Sequence, residues 1–234
     1  MNLTRLLACA PKLAEFLRDF FPPNLAWESE GLFAPPLQLA GEAVVVTLQI
    51  ALLGTAIGAT VALVFGLLGA ENLTPRWLHH SIKIALAMLR SIPVVLLAFL
   101  FFYALGFGAL PGVVAIAIHS MGMLGKLFAE EFEGVDSEVW EAMDSVGANW
   151  LQKVRYAVWP QVASQICSLT LFRVEMNLRD STVLGFVGIV GLGKVIDNYR
   201  KALDWPSVCT MVIATILVVL VVDQVSYQIR RRLK

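Results

Sequence analysis

Between Glu42 and Glu71 the chain runs for 28 residues without a charged side chain, and this stretch decides its solvent. A helix crossing a ~30 Å hydrocarbon layer needs about 20 apolar residues. No water is available there, so the backbone must satisfy its own polar groups, which a helix does. Residues 43–70 therefore predict a membrane-spanning helix. Gly54, Gly58, Gly66 and Gly69 lie within it, and the spacing of Gly54 and Gly58 lets a second helix approach closely. Composition agrees: 58% of the 234 residues are hydrophobic and 15% charged, against about 25% charged in an average soluble domain. A formal net charge of zero, with no cluster of basic and aromatic residues, argues against nucleic-acid binding. Cys9, Cys167 and Cys209 are far apart and suggest neither a disulfide framework nor a metal site. They read as small packing residues.

Four further spans follow from the same logic. Residues 91–125 are free of Lys, Arg, Asp and Glu but are interrupted by Gly106, Gly108, Pro111 and Gly112, which predicts a helical hairpin. Its first arm must begin near Ser81 to be long enough, with a kink at Pro93. Residues 126–155 turn polar and hold seven acids, Glu130, Glu131, Glu133, Asp136, Glu138, Glu141 and Asp144, as a water-exposed loop does. A fourth span starts at Pro160, a residue suited to the first helical turn. The apolar stretch 181–193, with Gly185, Gly188, Gly191 and Gly193, is too short to cross and predicts a broken or re-entrant element that lines or closes the outer mouth. Val208 to Tyr227 makes the fifth span. At the N-terminus, apolar residues at helical spacing from Leu3 to Phe20 among Arg5, Lys12, Glu15, Arg18 and Asp19 predict an amphipathic helix lying on a membrane or a neighbouring subunit. A proline-marked connector, Phe21 to Leu37, comes next. Two units result: residues 1–40, amphipathic helix and connector, and residues 41–234, an all-α transmembrane domain of about five spans.

The basic tail Arg230, Arg231, Arg232 and Lys234 belongs on the cytoplasmic side. Five spans then put the N-terminus outside and the loop at 126–160 in the cytoplasm. In that loop stand Glu141, Ala142 and Met143, then Gly147 after three residues, then Ala157-Val158-Trp159-Pro160 after nine more. Ser137 to Val146 predicts a short helix ended by Gly147 in the left-handed region. Asn149 with Gln152 predicts a cap on a second helix. Ala142, Ser145 and Ala148 are small enough to admit a partner's surface, and Glu141 offers it a charge.

This spacing resembles the EAA loop of ABC importer permeases, with Glu141, Ala142, Gly147 and Pro160 at the matching positions. Met143, Ala157 and Trp159 depart from the pattern. The segments Gly147-Ala148-Asn149, Val158 to Gln161, Leu171 to Gly185 and Gly188 to Gly193, with Thr47 to Ala51 and Ala70 to Leu73, resemble phosphonate and phosphite importer permeases. The resemblance implies the type I importer permease fold in the bacterial inner membrane. Its expected partners are a second permease copy, two ATP-binding subunits that hold the ATP and magnesium, and an extracytoplasmic binding protein. It also implies that Glu141, Ala142, Ser145, Gly147 and Ala148 couple to the ATPase. An importer of another solute, such as a polar amino acid or methionine, is the alternative.

Charges inside the fourth span need partners or water, since each costs at least ~2.5–3.5 kcal/mol at mid-bilayer. Arg173 and Asn177 share one helix face, and Glu175 and Arg179 another. These four, with Ser181, Thr182, Gly185, Gly188, Gly191 and Gly193, are the candidate gate or translocation path. Two readings stand: an arginine that meets a passing oxyanion, or an ion-pair network in which Glu175 pairs with Arg179. His119 and Ser120 point about 100° apart on a helix, so they do not make a nucleophile and base. Without a GxxxxGK[ST] loop the chain is not itself the ATPase. No clear internal repeat suggests a secondary transporter, and no catalytic constellation or metal site suggests an enzyme.

Overall fold

The structure, a computed structural model, describes residues 3–25 and 35–233, with side chains from Pro11 to Arg232 except in the gap. The described residues form helices and turns without a strand. In chain order they are α1 (Leu3–Phe20), α2 (Pro36–Gly69), α3 (Arg76–Ser91), α4 (Val94–Leu105), α5 (Leu110–Glu133), α6 (Ser137–Ser145), α7 (Trp150–Lys153), α8 (Trp159–Leu184), α9 (Leu192–Lys201) and α10 (Trp205–Leu233). By length and composition α2, α5 and α10 can cross a membrane, and the pair α3–α4, bent by 83°, counts as a fourth where it is taken as one span. α8, at 26 residues and about 39 Å, is long enough to cross, but it carries Arg173, Glu175, Arg179 and Asp180 and is less apolar than these. The side chains of Leu3, Leu6, Leu7, Cys9 and Ala10, and residues 26–34 of the expected connector, lie outside the described set.

The α2–α5 pair forms the middle of the bundle, and glycines set its closeness. A Cβ on Gly58 would sit 2.6 Å from the Ala117 carbonyl oxygen, and one on Gly66 would sit 2.8 Å from Phe128 Cβ. Below this contact Phe128 and Phe132 are fully buried with Leu124, Val158, Val162 and Ile166. The outward face of α2 carries Leu52, Leu53, Ile57 and Val64, all exposed in the single chain. One end of the bundle gathers the α2–α3 turn and the end of α5, where Glu71 N–H donates to Glu133 (2.8 Å) and Asn72 to the Phe132 carbonyl (2.9 Å). The opposite end gathers α1 and the start of α10, with Phe16 edge-on to Trp205 at 5.0 Å. α1 and the acidic connector thus lie at opposite ends, as an odd number of crossings between them, through α2, α3–α4 and α5, requires.

Four boundaries differ from expectation. α2 begins at Pro36, inside the expected connector, because Pro36 occupies the first turn where a missing N–H costs nothing. α3 begins at Arg76, before Ser81. α5 continues through Lys126 to Glu133, where a loop was expected, because Leu124, Phe128 and Phe132 recur every fourth residue and bury one face of an otherwise polar stretch. At Pro93 the chain breaks by 83° instead of kinking. Proline forces the preceding residue out of the helical region, and Ile92 is extended with ψ 119°. Cys167 is exposed in the single chain, not packed, while Cys209 is buried.

Candidate functional site

At the acidic end, α6 and α7 make a helix–elbow–helix. Asp136 caps α6 by accepting from the Glu138 N–H at 2.9 Å. Gly147 turns the chain at φ +73°, with no atom near its missing Cβ. Asn149 and Gln152 close a reciprocal capping box, their bonds 3.0 and 2.9 Å. Two contacts fix the elbow to the bundle: Trp150 Nε1 donates to the Leu73 carbonyl (3.2 Å) and Asp136 N–H donates to Gln161 (3.2 Å). Within the elbow, Lys153 on α7 pairs with Asp144 on α6. A π-helical turn, Val154–Val158, leads into α8, with the Trp159 N–H bonded to the Val154 carbonyl.

The surface of this elbow is apolar where water should favour polar groups. Val146 is 76% exposed, Leu151 68% and Tyr156 62%. Leu151, Val154, Arg155, Tyr156 and Trp159 line a groove of about 510 Å³. Glu141, Ala142 and Ser145 are exposed beside it, and Ala148 is half-buried. Sequence reasoning missed Val146, Leu151 and Tyr156; isolated large apolar residues inside an acidic connector were the available signal.

The ten gate candidates separate into three places. Arg173 and Asn177 are buried in the interior and meet on Ser120 Oγ, which accepts from Arg173 Nε at 3.2 Å and from Asn177 Nδ2 at 2.7 Å. Asn177 also donates to Thr55 at 2.7 Å, so one polar knot joins α2, α5 and α8. Ser120 and its neighbour His119 accordingly do separate things: His119 Nδ1 lies 3.1 Å from the Ile92 carbonyl at the α3–α4 break.

Glu175 and Arg179 form the second place, and the expected pair between them is absent. Glu175 accepts from Arg230 at 2.6 Å and Arg179 donates to Asp223 at 3.1 Å. The reason is that α10 lies alongside that face of α8 and presents opposite charges nearer than one helical turn away. The rest form the third place, a tight corner where α8 turns into α9. Ser181 and Thr182 bond back to the Leu178 carbonyl at 2.8 and 3.3 Å. Gly185 and Gly193 are in backbone contact: a Cβ on Gly193 would overlap the Thr182 carbonyl oxygen, and one on Gly185 the Gly193 backbone. Gly188, at φ +102°, lies against the Phe102 ring. Next to Gly191, the Thr47 hydroxyl donates to the Ala43 carbonyl (2.7 Å) and accepts from Leu192 N–H (2.9 Å), tying α9 to α2. On α9, hydrogen bonds from Lys201 and Arg200 hold the Asp197 carboxyl below the usual carboxylate range.

Comparison with known proteins places this architecture. The chain is 34% identical over its full length to the phosphite transport system permease protein PtxC of Stutzerimonas stutzeri, covering 82% of that protein. It is 34% identical over 97% of its length to the phosphate-import permease protein PhnE of Mycolicibacterium smegmatis, of which it spans 41%. It is 32% identical over 98% of its length to the putative phosphite permease HtxC of Stutzerimonas stutzeri, covering 79% of it. Its fold matches the MetNI methionine ABC transporter in an inward-facing crystal form, with a TM-score of 0.77 over 87% of this chain and all of that one at 17% identity. It also matches an amino acid ABC transporter, with a TM-score of 0.70 over 84% of this chain and 94% of that one at 18% identity. Residues 62–234 match the model of the binding-protein-dependent transport system inner membrane component. With three helices able to cross a membrane and a fourth in the bent pair, an all-α type I importer permease fold and that match over most of its length, the chain belongs to this family of multi-pass inner-membrane permeases.

Proposed function

We propose that this chain is the permease subunit through which an ATP-driven importer carries phosphite, a phosphonate or a related phosphorus oxyanion across the bacterial inner membrane. The observation that carries the cargo class is the 34% identity, over the whole chain, to a phosphite transport permease. The chain works as two identical copies with two ATP-binding subunits, which hold the ATP and magnesium, and an extracytoplasmic binding protein delivers the cargo. The elbow supports the partnership with the ATPase: exposed Val146, Leu151 and Tyr156 form an apolar surface held by two caps, one internal ion pair and two contacts to the bundle. Such a surface in a water-facing connector is what a partner subunit covers. Glu141, Ala142, Ser145, Gly147 and Ala148 lie on or beside it and transmit the motor's movement to α8.

Uptake tests the cargo. In cells stripped of other phosphorus importers, the chain with its ATPase and binding protein should restore uptake of phosphite or a phosphonate. Uptake of methionine or a polar amino acid, with none of any phosphorus oxyanion, would overturn the assignment.

A further inference from the structure

We propose that Arg173 is an oxyanion-binding group inside each chain, among Ser120, Met123 and Asp180 and close to the α3–α4 break that His119 contacts. The proposal rests on the reading of the chain as a phosphorus-oxyanion permease and names the residue that would meet the cargo.

A buried guanidinium is stable when a counter-charge and acceptors surround it. Arg173 is 4% exposed and has neither in full. Nε donates to Ser120 and Nη1 lies 3.3 Å from the Met123 sulfur, a weak acceptor. Nη2 is buried and makes no hydrogen bond among the described residues. The nearest carboxylate oxygen, Asp180 Oδ2, is 3.9 Å from it, on a side chain 34% exposed. Glu175 and Arg179 on the same helix have counter-charges at 2.6 and 3.1 Å. Among the α8 pairs, the Arg173 contact is therefore an ion contact without a hydrogen bond.

The surroundings favour an anion over a second carboxylate. His119 lies one helical turn from Met123 on α5 and next in sequence to Ser120, which holds Arg173. Through its Nδ1 contact with Ile92 it is fixed to the break. Beyond the break, α4 packs against α8 and starts without a side-chain cap. Its 12 residues direct the positive end of their dipoles toward the break. Broken helices in transporters present this end to anionic cargo. A tetrahedral phosphorus oxyanion shedding water would accept two parallel bonds from the fork of Arg173. Asp180 acts as a placeholder: it keeps the charge compensated between passages and yields readily because it holds no hydrogen bond. Weak retention also suits release.

A placeholder gives the two partners opposite mutational signs. In the complete importer, reconstituted with its ATPase and binding protein, Arg173→Gln should lower phosphite uptake by about tenfold to a hundredfold, the loss of a charge-assisted bond. Asp180→Asn should raise uptake, because the placeholder no longer competes with cargo for the guanidinium. Binding is read separately with Asp180→Cys in a background whose Cys9, Cys167 and Cys209 are serine. Phosphite should slow modification of this cysteine by a charged thiol reagent, and Arg173→Gln should abolish the protection. Should Arg173→Gln fail to assemble, Arg173→Lys, which keeps charge without the fork, should assemble and weaken protection. Equal protection with and without Arg173, or no protection in either, would overturn the proposal. So would equal loss of uptake and melting temperature in Arg173→Gln and Asp180→Asn, the signature of a structural pair. If the unmodified importer takes up no phosphorus oxyanion, it is the cargo assignment that fails.

Discussion

Two glycine-bearing corners sit at opposite ends of α8, and they use glycine for opposite reasons. At the elbow Gly147 has open space around it, and only its φ of +73° calls for glycine. At the far corner Gly185 and Gly193 are demanded by space, because their backbones touch with no room for a Cβ. The elbow turns its large side chains outward; the corner buries Leu184, Ile189 and Leu192. One corner is shaped to be covered by something else. The other is finished within the chain.

The contrast predicts a ranking of effects. Gly193→Ala should be the most severe, because the methyl overlaps a backbone carbonyl that no side-chain rotation relieves. We expect a loss above about 3 kcal/mol, seen as little folded importer on size-exclusion chromatography; a normal yield and melting temperature would show that the corner is looser than its packing implies. Leu151→Asp comes next and should separate assembly from stability. Its site is solvent-exposed, so the permease should change by no more than about 0.5 kcal/mol, while association with the ATPase weakens by about 2 kcal/mol or more. Measured affinity for the ATPase unchanged from the parent would remove the elbow's apolar face as a docking surface. Gly147→Ala is the mildest, a left-handed backbone cost of about 1–2 kcal/mol without a clash. It should lower ATP-coupled uptake more than thermal stability; an equal fall in both would make the elbow a plain structural turn.

Local signals and absolute prohibitions were legible in the sequence, and long-range choices were not. The hydrophobic cores of α2, α4, α5 and α10 announced themselves by the lack of charge, since lipid tolerates no alternative. The elbow was equally readable, because Gly147 and the Asn149–Gln152 box act within a few residues of one another. Charge pairing failed for the converse reason: Glu175 and Arg179 are one turn apart, but α10 brings Arg230 and Asp223, 55 and 44 residues away in sequence, to the same face. The polar knot was half visible. Arg173 and Asn177 could be put on one side of a helix, but Ser120 and Thr55, neutral residues on two other spans, carried no sign of being their partners. The extension of α5 to Glu133 was hidden by its acids, which outweighed a run of apolar residues at every fourth position.

The continuity of α8 has a mechanical consequence. One unbroken rod of 26 residues, about 39 Å long, starts at the elbow, carries Arg173 and ends at the jammed corner beside Gly185. A tilt of about 10° pivoting at its elbow end would sweep the far end through about 7 Å, from length alone. Leverage of this kind needs no relay of rearranging side chains. Stiffness is then the quantity that matters, and the π-helical turn at the base, Val154–Val158, is where the rod is fastened to its handle.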